Sequence, residues 1–368
     1  MTSSHEEARV FEEWLWSLDQ TRLDSFSLLE LQRIATQAAL VLPQLTFLTV
    51  VAESDAPAEV LSSAAGVRES RVGERLALLR VGSGRGRYVV AAAPAADGVV
   101  HLFGAPPVTD SRWRRVEETW MRSAAPRMAK VILNRSDFEG IGDALTEHGS
   151  IEVARMTARV LRDHSSYSRG WPSEPHIRRL THREALAETD GMIVRTLTLQ
   201  VGANTQVHLR REAGASFYRG DFRMFADVVL RRLTTAAAER RELLSDRQRA
   251  PRETAAQLLS MKLSDLDLDE SSVRAQLVDA VSGIHGMQAA VLHENPYLHV
   301  LVSDFLSGAS FDVVVTDERR LDIIPGLRSS VGSLARLTDA LGSAMGMNEL
   351  TLAPAVADLS EEELLASF

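Results

Sequence analysis

The residues best equipped for chemistry crowd into one stretch, 161–180, which reads Leu-Arg-Asp-His-Ser-Ser-Tyr-Ser-Arg-Gly-Trp-Pro-Ser-Glu-Pro-His-Ile-Arg-Arg-Leu. Tyr167 and Trp171 offer flat rings, and Arg169, Arg178 and Arg179 offer forked donors. That combination suits stacking and the gripping of anions. His164 and His176 titrate near neutral pH and could move a proton. A connection this long without a pattern of its own is uncommon and is often functional. The candidate binding residues are therefore His164, Tyr167, Arg169, Trp171, His176, Arg178 and Arg179. The surrounding region is the basic one. Residues 138–250 hold 18 Arg against 15 Asp and Glu, in a chain of net charge −9. They also hold His148, His164, His176, His182 and His208.

Stronger reaction signatures are missing from the sequence. His164 lies beside Ser165, Ser166 and Ser168, but sequence neighbours seldom have triad geometry, and no Gly-x-Ser-x-Gly elbow is present. No HExxH helix occurs, so no metal site is assigned. Asp265, Asp267 and Asp269 recur two apart, yet the glycine and closing glutamate of an EF-hand loop are missing. Asp269 is read instead as a helix cap. Gly82-Ser-Gly-Arg-Gly86 lacks the Lys-Ser/Thr ending of a phosphate loop and precedes a strand, which makes it a hairpin turn. Cysteine is absent, which removes thiol nucleophiles, thiolate metal sites and disulfides. No catalytic residue and no cofactor is assigned.

Composition narrows the class. With 45% hydrophobic and 25% charged residues, the chain can bury a core in each of two or three domains. The negative balance opposes a whole-chain grip on nucleic acid or an anionic membrane. The start carries no apolar signal core, and the apolar stretch near 38–51 is interrupted by Pro43 and Gln44. These features predict a soluble bacterial cytoplasmic protein.

The elements that must position any site follow from apolar spacing. Residues 1–22 predict an N-terminal helix with Val10, Phe11, Trp14, Leu15 and Leu18 at helical intervals. A first α+β unit spans 23–135, opened by a capping box at Ser27–Glu30 and closed by a helix from Asp110 that Pro126 should kink. A second, more basic unit spans 136–262. It has a capping box at Ser136–Glu139 and a strand over 151–160 with a bulge between Val153 and Met156. Two further strands follow, 193–201 and 205–211, the latter with Val207 and Leu209 inward and Gln206, His208 and Arg210 outward. The third unit, 263–350, is the cleanest. A helix carries Val273, Leu277, Val281 and Ile284, an apolar run 287–292 follows, and strands 298–302 and 311–315 precede a second helix with Leu334 and Leu341 inward. An acidic tail, 351–368, ends the chain with a capping box at Ser360–Glu363.

The predicted fold is α+β: three tandem α-β-β-β-α units with small antiparallel sheets and short terminal helices. Repeated small sheets without a reaction signature favour a non-enzymatic binding or scaffold protein, adaptor or chaperone-like. It would take a protein or peptide partner on sheet faces or edges. Two other readings use the middle unit. One is an enzyme acting on a phosphate-bearing or nucleic-acid substrate, with His164 or His176 as acid or base. The other is an RNA-binding module stacking bases on Tyr167 and Trp171.

Overall fold

The computed structural model describes residues 4–53, 57–63, 66–161, 165–171, 179–189, 192–212, 214–245, 247, 258–263, 268, 270–294, 297–326 and 328–353. The fold is α+β, with two antiparallel sheets. The chain divides into two compact units. The first holds the described residues of 4–160 and 165–240, and the second holds Leu161 and those of 241–353.

The first unit begins with helices α1 (Ser4–Ser17), α2 (Gln20–Ser25) and α3 (Leu31–Gln37), with a 3-10 turn Leu28–Glu30 before α3. Strand β1 (Leu45–Ala52) leads to α4 (Pro57–Ser62) and to a meander of β2 (Val67–Val72), β3 (Ala77–Val81), β4 (Tyr88–Ala96) and β5 (Val99–Gly104). Asp110 caps α5 (Ser111–Arg114), which runs through a π-helical segment, Arg115–Trp120, into α6 (Met121–Ala124). Next come β6 (Met128–Lys130), α7 (Arg135–Thr146), β7 (Ile151–Val160), β8 (Ser166–Gly170) and α8 (His182–Ala187). Strands β9 (Met192–Val201), β10 (Thr205–Arg210) and β11 (Gly214–Arg219) follow. Asp221 then caps α9 (Phe222–Met224), which continues through a second π segment, Phe225–Leu230, into α10 (Arg231–Leu244).

These strands form one sheet in the order β2-β3-β4-β5-β1-β11-β10-β9-β7-β8, with β6 also on β1. β1 is buried along its whole length because both faces are covered. Leu45 and Phe47 join the larger core with Phe11, Leu15, Phe138, Phe222 and Phe225. Leu48 and Val50 join a second core with Leu61, Trp113, Val116 and Trp120.

In the second unit, β12 (Leu259–Leu263) precedes α11 (Ser271–Ser282). Four strands then meander: β13 (Met287–His293), β14 (His299–Asp304), β15 (Ala309–Asp317) and β16 (Arg320–Pro325). Helix α12 (Val331–Met345) and β17 (Met347–Leu352) complete it. The sheet order is β13-β14-β15-β16-β12-β17. Alternation puts Val300, Val302, Phe311 and Val313 in the buried layer with Leu277 and Val281 of α11 and Leu334, Leu337 and Leu341 of α12.

The small sheets expected for the first two units are one sheet, joined where Leu45–Leu48 of β1 pair with Phe217–Gly214 of β11. The third unit carries β12, β16 and β17 beyond the strands its apolar spacing announced. Pro126 does not kink a helix; α6 ends at Ala124 and the chain enters β6. Ser27 makes no capping bond, and the box before α7 is Asn134 with Asp137, two residues ahead of the expected pair. The bulge in β7 is present. Arg210 is buried, not outward. Asp265, Asp267, Asp269 and the tail from 354 lie outside the described residues.

Candidate functional site

An open sheet ends in edge strands whose outer N–H and C=O groups lack a ladder partner, and natural sequences guard them with charge or cover. In the first unit β2 carries Arg68, Glu69 and Arg71, β8 carries Arg169, and the short β6 ends on Lys130. In the second unit β17 carries Glu349. β13 reads Met-Gln-Ala-Ala-Val-Leu-His, with no acidic or basic side chain other than histidine and no proline. It is the outermost strand of its sheet.

The free backbone groups can be assigned. The amide of Phe305 donates to the carbonyl of Gly286 at 2.8 Å, and β13 then pairs with β14 from Met287 opposite Asp304. Antiparallel ladders alternate, so Gln288 and Ala290 bond inward to β14 while the N–H and C=O of Ala289 and the N–H of Val291 turn to the free edge, up to the register shift between Val291 and His293. The amide of Met287 closes back on Ile284 at 3.0 Å. Apolar side chains accompany this edge: Val291 is 39% exposed and Leu292 48%.

Both ends of the strand are bracketed by aromatic side chains. At the start stand Phe305, 68% exposed, and Leu306, 42% exposed; at the finish stands Tyr297, 46% exposed. Gly286 permits this crowding, since a Cβ there would lie 2.5 Å from Leu306, and its φ of +77° favours glycine. The turn holding Phe305 is fixed from below. The buried carboxylate of Asp304 accepts from the Ser333 hydroxyl at 2.7 Å, the Leu306 amide at 2.9 Å, the Ser307 hydroxyl at 3.0 Å and Arg336 Nη1 at 3.2 Å. Arg336 also donates to the carbonyl of His285. At the other end His293 lies 6.1 Å from Tyr297 and stacks on His299 at 6.2 Å. His299 Nε2 meets Asp312 at 2.8 Å. The result is an apolar ledge roughly 22 Å long, from seven residues at strand rise.

A polar row crosses the first unit. Thr46 pairs with Ser216, Ser216 with His208, His208 with Thr198, and Thr198 with Arg155. His208 Nδ1 lies 2.9 Å from the Thr198 hydroxyl. Burial, then Arg210 and Arg155, hold this imidazole neutral, its pKa down to about 4. Arg210 crosses Gly214, where a Cβ would lie 2.2 Å from the guanidinium, to pair with Glu117 and reach the Phe47 carbonyl at 3.0 Å. It ties the β9–β11 side of the sheet to the π-helical segment.

The described part of 161–180 is not a structureless loop. Residues 166–170 form β8 on β7. Trp171 is buried in the larger core, its amide bonded to the Ala154 carbonyl at 2.9 Å, and Tyr167 packs against that core. Arg169 lies over Trp171 at 5.0 Å and pairs with Glu188. Arg179 pairs with Glu152 at 3.1 Å. His164, His176 and Arg178 lie outside the described residues. The four that are described serve the β7–β8 corner and do not converge on a cleft. Sequence reasoning passed over the ledge of β13, although its signal was legible: an apolar run, 287–292, without a charge to guard it.

Among the described residues, no group of three or more His, Asp or Glu gathers as metal ligands, and no helix is long and apolar enough to cross a membrane. No protein-family model matches the chain, and no curated protein matches it.

Proposed function

We propose that the chain is a cytoplasmic binding protein, adaptor or chaperone-like, that takes an extended segment of a partner protein as an added strand on β13. The observation that carries this reading is an edge strand with free backbone groups at Ala289 and Val291, no charged guard, and aromatic side chains at both ends. Strand addition draws affinity from main-chain hydrogen bonds and selectivity from the pockets beside alternate side chains. Phe305 and Leu306 would receive apolar residues at one end of the segment, and Tyr297 at the other. The partner is therefore an uncharged segment of about seven residues rich in β-branched and aromatic side chains.

The test is a titration of the full chain with synthetic heptapeptides of alternating apolar and polar residues, followed by hydrogen exchange. Binding should slow exchange at the amides of Ala289 and Val291. Val291→Pro removes one outward N–H and should weaken binding about tenfold or more. Peptide binding that leaves both amides unprotected would overturn the proposal. So would a peptide-free pairing of two copies through β13 that no peptide displaces.

A further inference from the structure

The first unit contains a cavity of about 380 Å³, within the range of small-molecule sites. Its walls come from three places. The end of α2 and the 3-10 turn supply Phe26, Leu28 and Leu29; β4 supplies Ala93, Pro94 and Ala95; the second π segment and α10 supply Ala226, Leu230 and Thr234. Small residues on β4 leave the space, and π segments recur at functional sites.

His101 forms the floor, and its hydrogen bonds are complete. The Thr234 hydroxyl donates to the Leu230 carbonyl at 2.9 Å, so it accepts from His101 Nε2 at 2.9 Å. Nδ1 is then the acceptor for the Thr49 hydroxyl at 3.0 Å. A floor whose donors and acceptors are already used asks nothing polar of a ligand and will lie against hydrocarbon. The mouth differs. Arg75 and Arg231 line it, and no carboxylate among the described residues does. Arg231 pairs with Asp227 on its own helix, whereas Arg75 has no carboxylate partner among the described residues.

We infer that this cavity binds an aliphatic monocarboxylate, with its chain against Leu28, Leu230 and the small residues of β4 and its carboxylate at Arg75. Calorimetric titration of the full chain with decanoate, and with decanol as the neutral control, tests it. Decanoate should bind roughly tenfold tighter than decanol, the margin of a charge-assisted hydrogen bond. Arg75→Ala should bring decanoate down to decanol. Ala95→Phe, at an exposed lip of the mouth, should weaken both. The His101 Nε2–H resonance should shift on binding in the wild-type chain and stay put in Ala95→Phe. Equal affinity for the two probes, undiminished binding to Ala95→Phe, or an unmoved His101 signal would each overturn the inference. So would an apolar dipeptide acid that binds tighter than decanoate. Val291→Pro should leave decanoate binding unchanged, which separates this site from the ledge of β13.

Discussion

β2 and β13 occupy the same place in two sheets. Each is the outermost strand of a four-stranded meander, and each follows a helix that follows the strand paired with the meander's last member. Their edges are nevertheless treated in opposite ways. Along β2, Arg71 donates to the carbonyls of Trp16 at 2.6 Å and Leu18 at 3.4 Å, and Gln20 donates to the Val72 carbonyl at 3.2 Å. Arg71 and Arg80 both lie over the Trp16 ring, and Arg80 pairs with Glu69 at 2.8 Å. The helices ahead of β1 and the charges on β2 together close that edge. β13 has neither device among the described residues. Topology alone does not decide whether a sheet edge is open; the side chains on the strand and the segments packed beside it do.

The contrast can be broken in four places, from the largest expected effect to the smallest. Asp304→Ala strands a buried guanidinium and two hydroxyls, and should cost the second unit about 3 to 5 kcal/mol. Urea denaturation read by exchange at β14 amides measures it, and the Phe305 turn should loosen with it. Glu12 on α1 is held up to about pH 7 by burial, against an ordinary value of 4.5 and against the pull of Arg112 and Arg87. Between those values the unfolded chain releases the proton more readily, so stability of the first unit should fall as pH rises from about 4.5 to 7 and stay lower above. Glu12→Gln should flatten that profile and stabilise the unit at pH 8 by up to about 3 kcal/mol. Thermal melts across that range give the answer. Arg71→Ala should cost about 1 to 2 kcal/mol and speed exchange along β2, making it resemble β13. Phe305→Ala should leave stability within about 0.5 kcal/mol, because the ring is largely exposed, while weakening capture of an extended peptide.

Much of the fold was legible from local patterns. The span of β7 and its bulge followed from alternation, and Asp110 announced the helix it opens. What stayed hidden depends on distant partners. Nothing near Leu45 says that it will pair with Phe217. Arg210 reads as outward until Gly214 opens a path and Glu117 waits at its end. β16 alternates poorly because Asp322 is buried among its neighbours. β8, Ser-Tyr-Ser-Arg-Gly, has too little apolar content to announce a strand. Within 161–180, Trp171 and Arg179 hold a corner, a use that residue type alone does not reveal, and His164, His176 and Arg178 lie outside the described residues. The ledge on β13 was marked by missing charge, a quieter signal.

One strand constrains how this chain can be divided. β1 pairs with β5 on one flank, and on the other with β11 through Leu45–Leu48 and with β6 through Val50–Ala52. A fragment that stopped at residue 135 would bare the flank at Leu45, and one that began at 136 would bare β11. Either piece would be a sticky, self-associating product. A truncation that parts β1 from β11 should therefore yield aggregates, whichever half is kept.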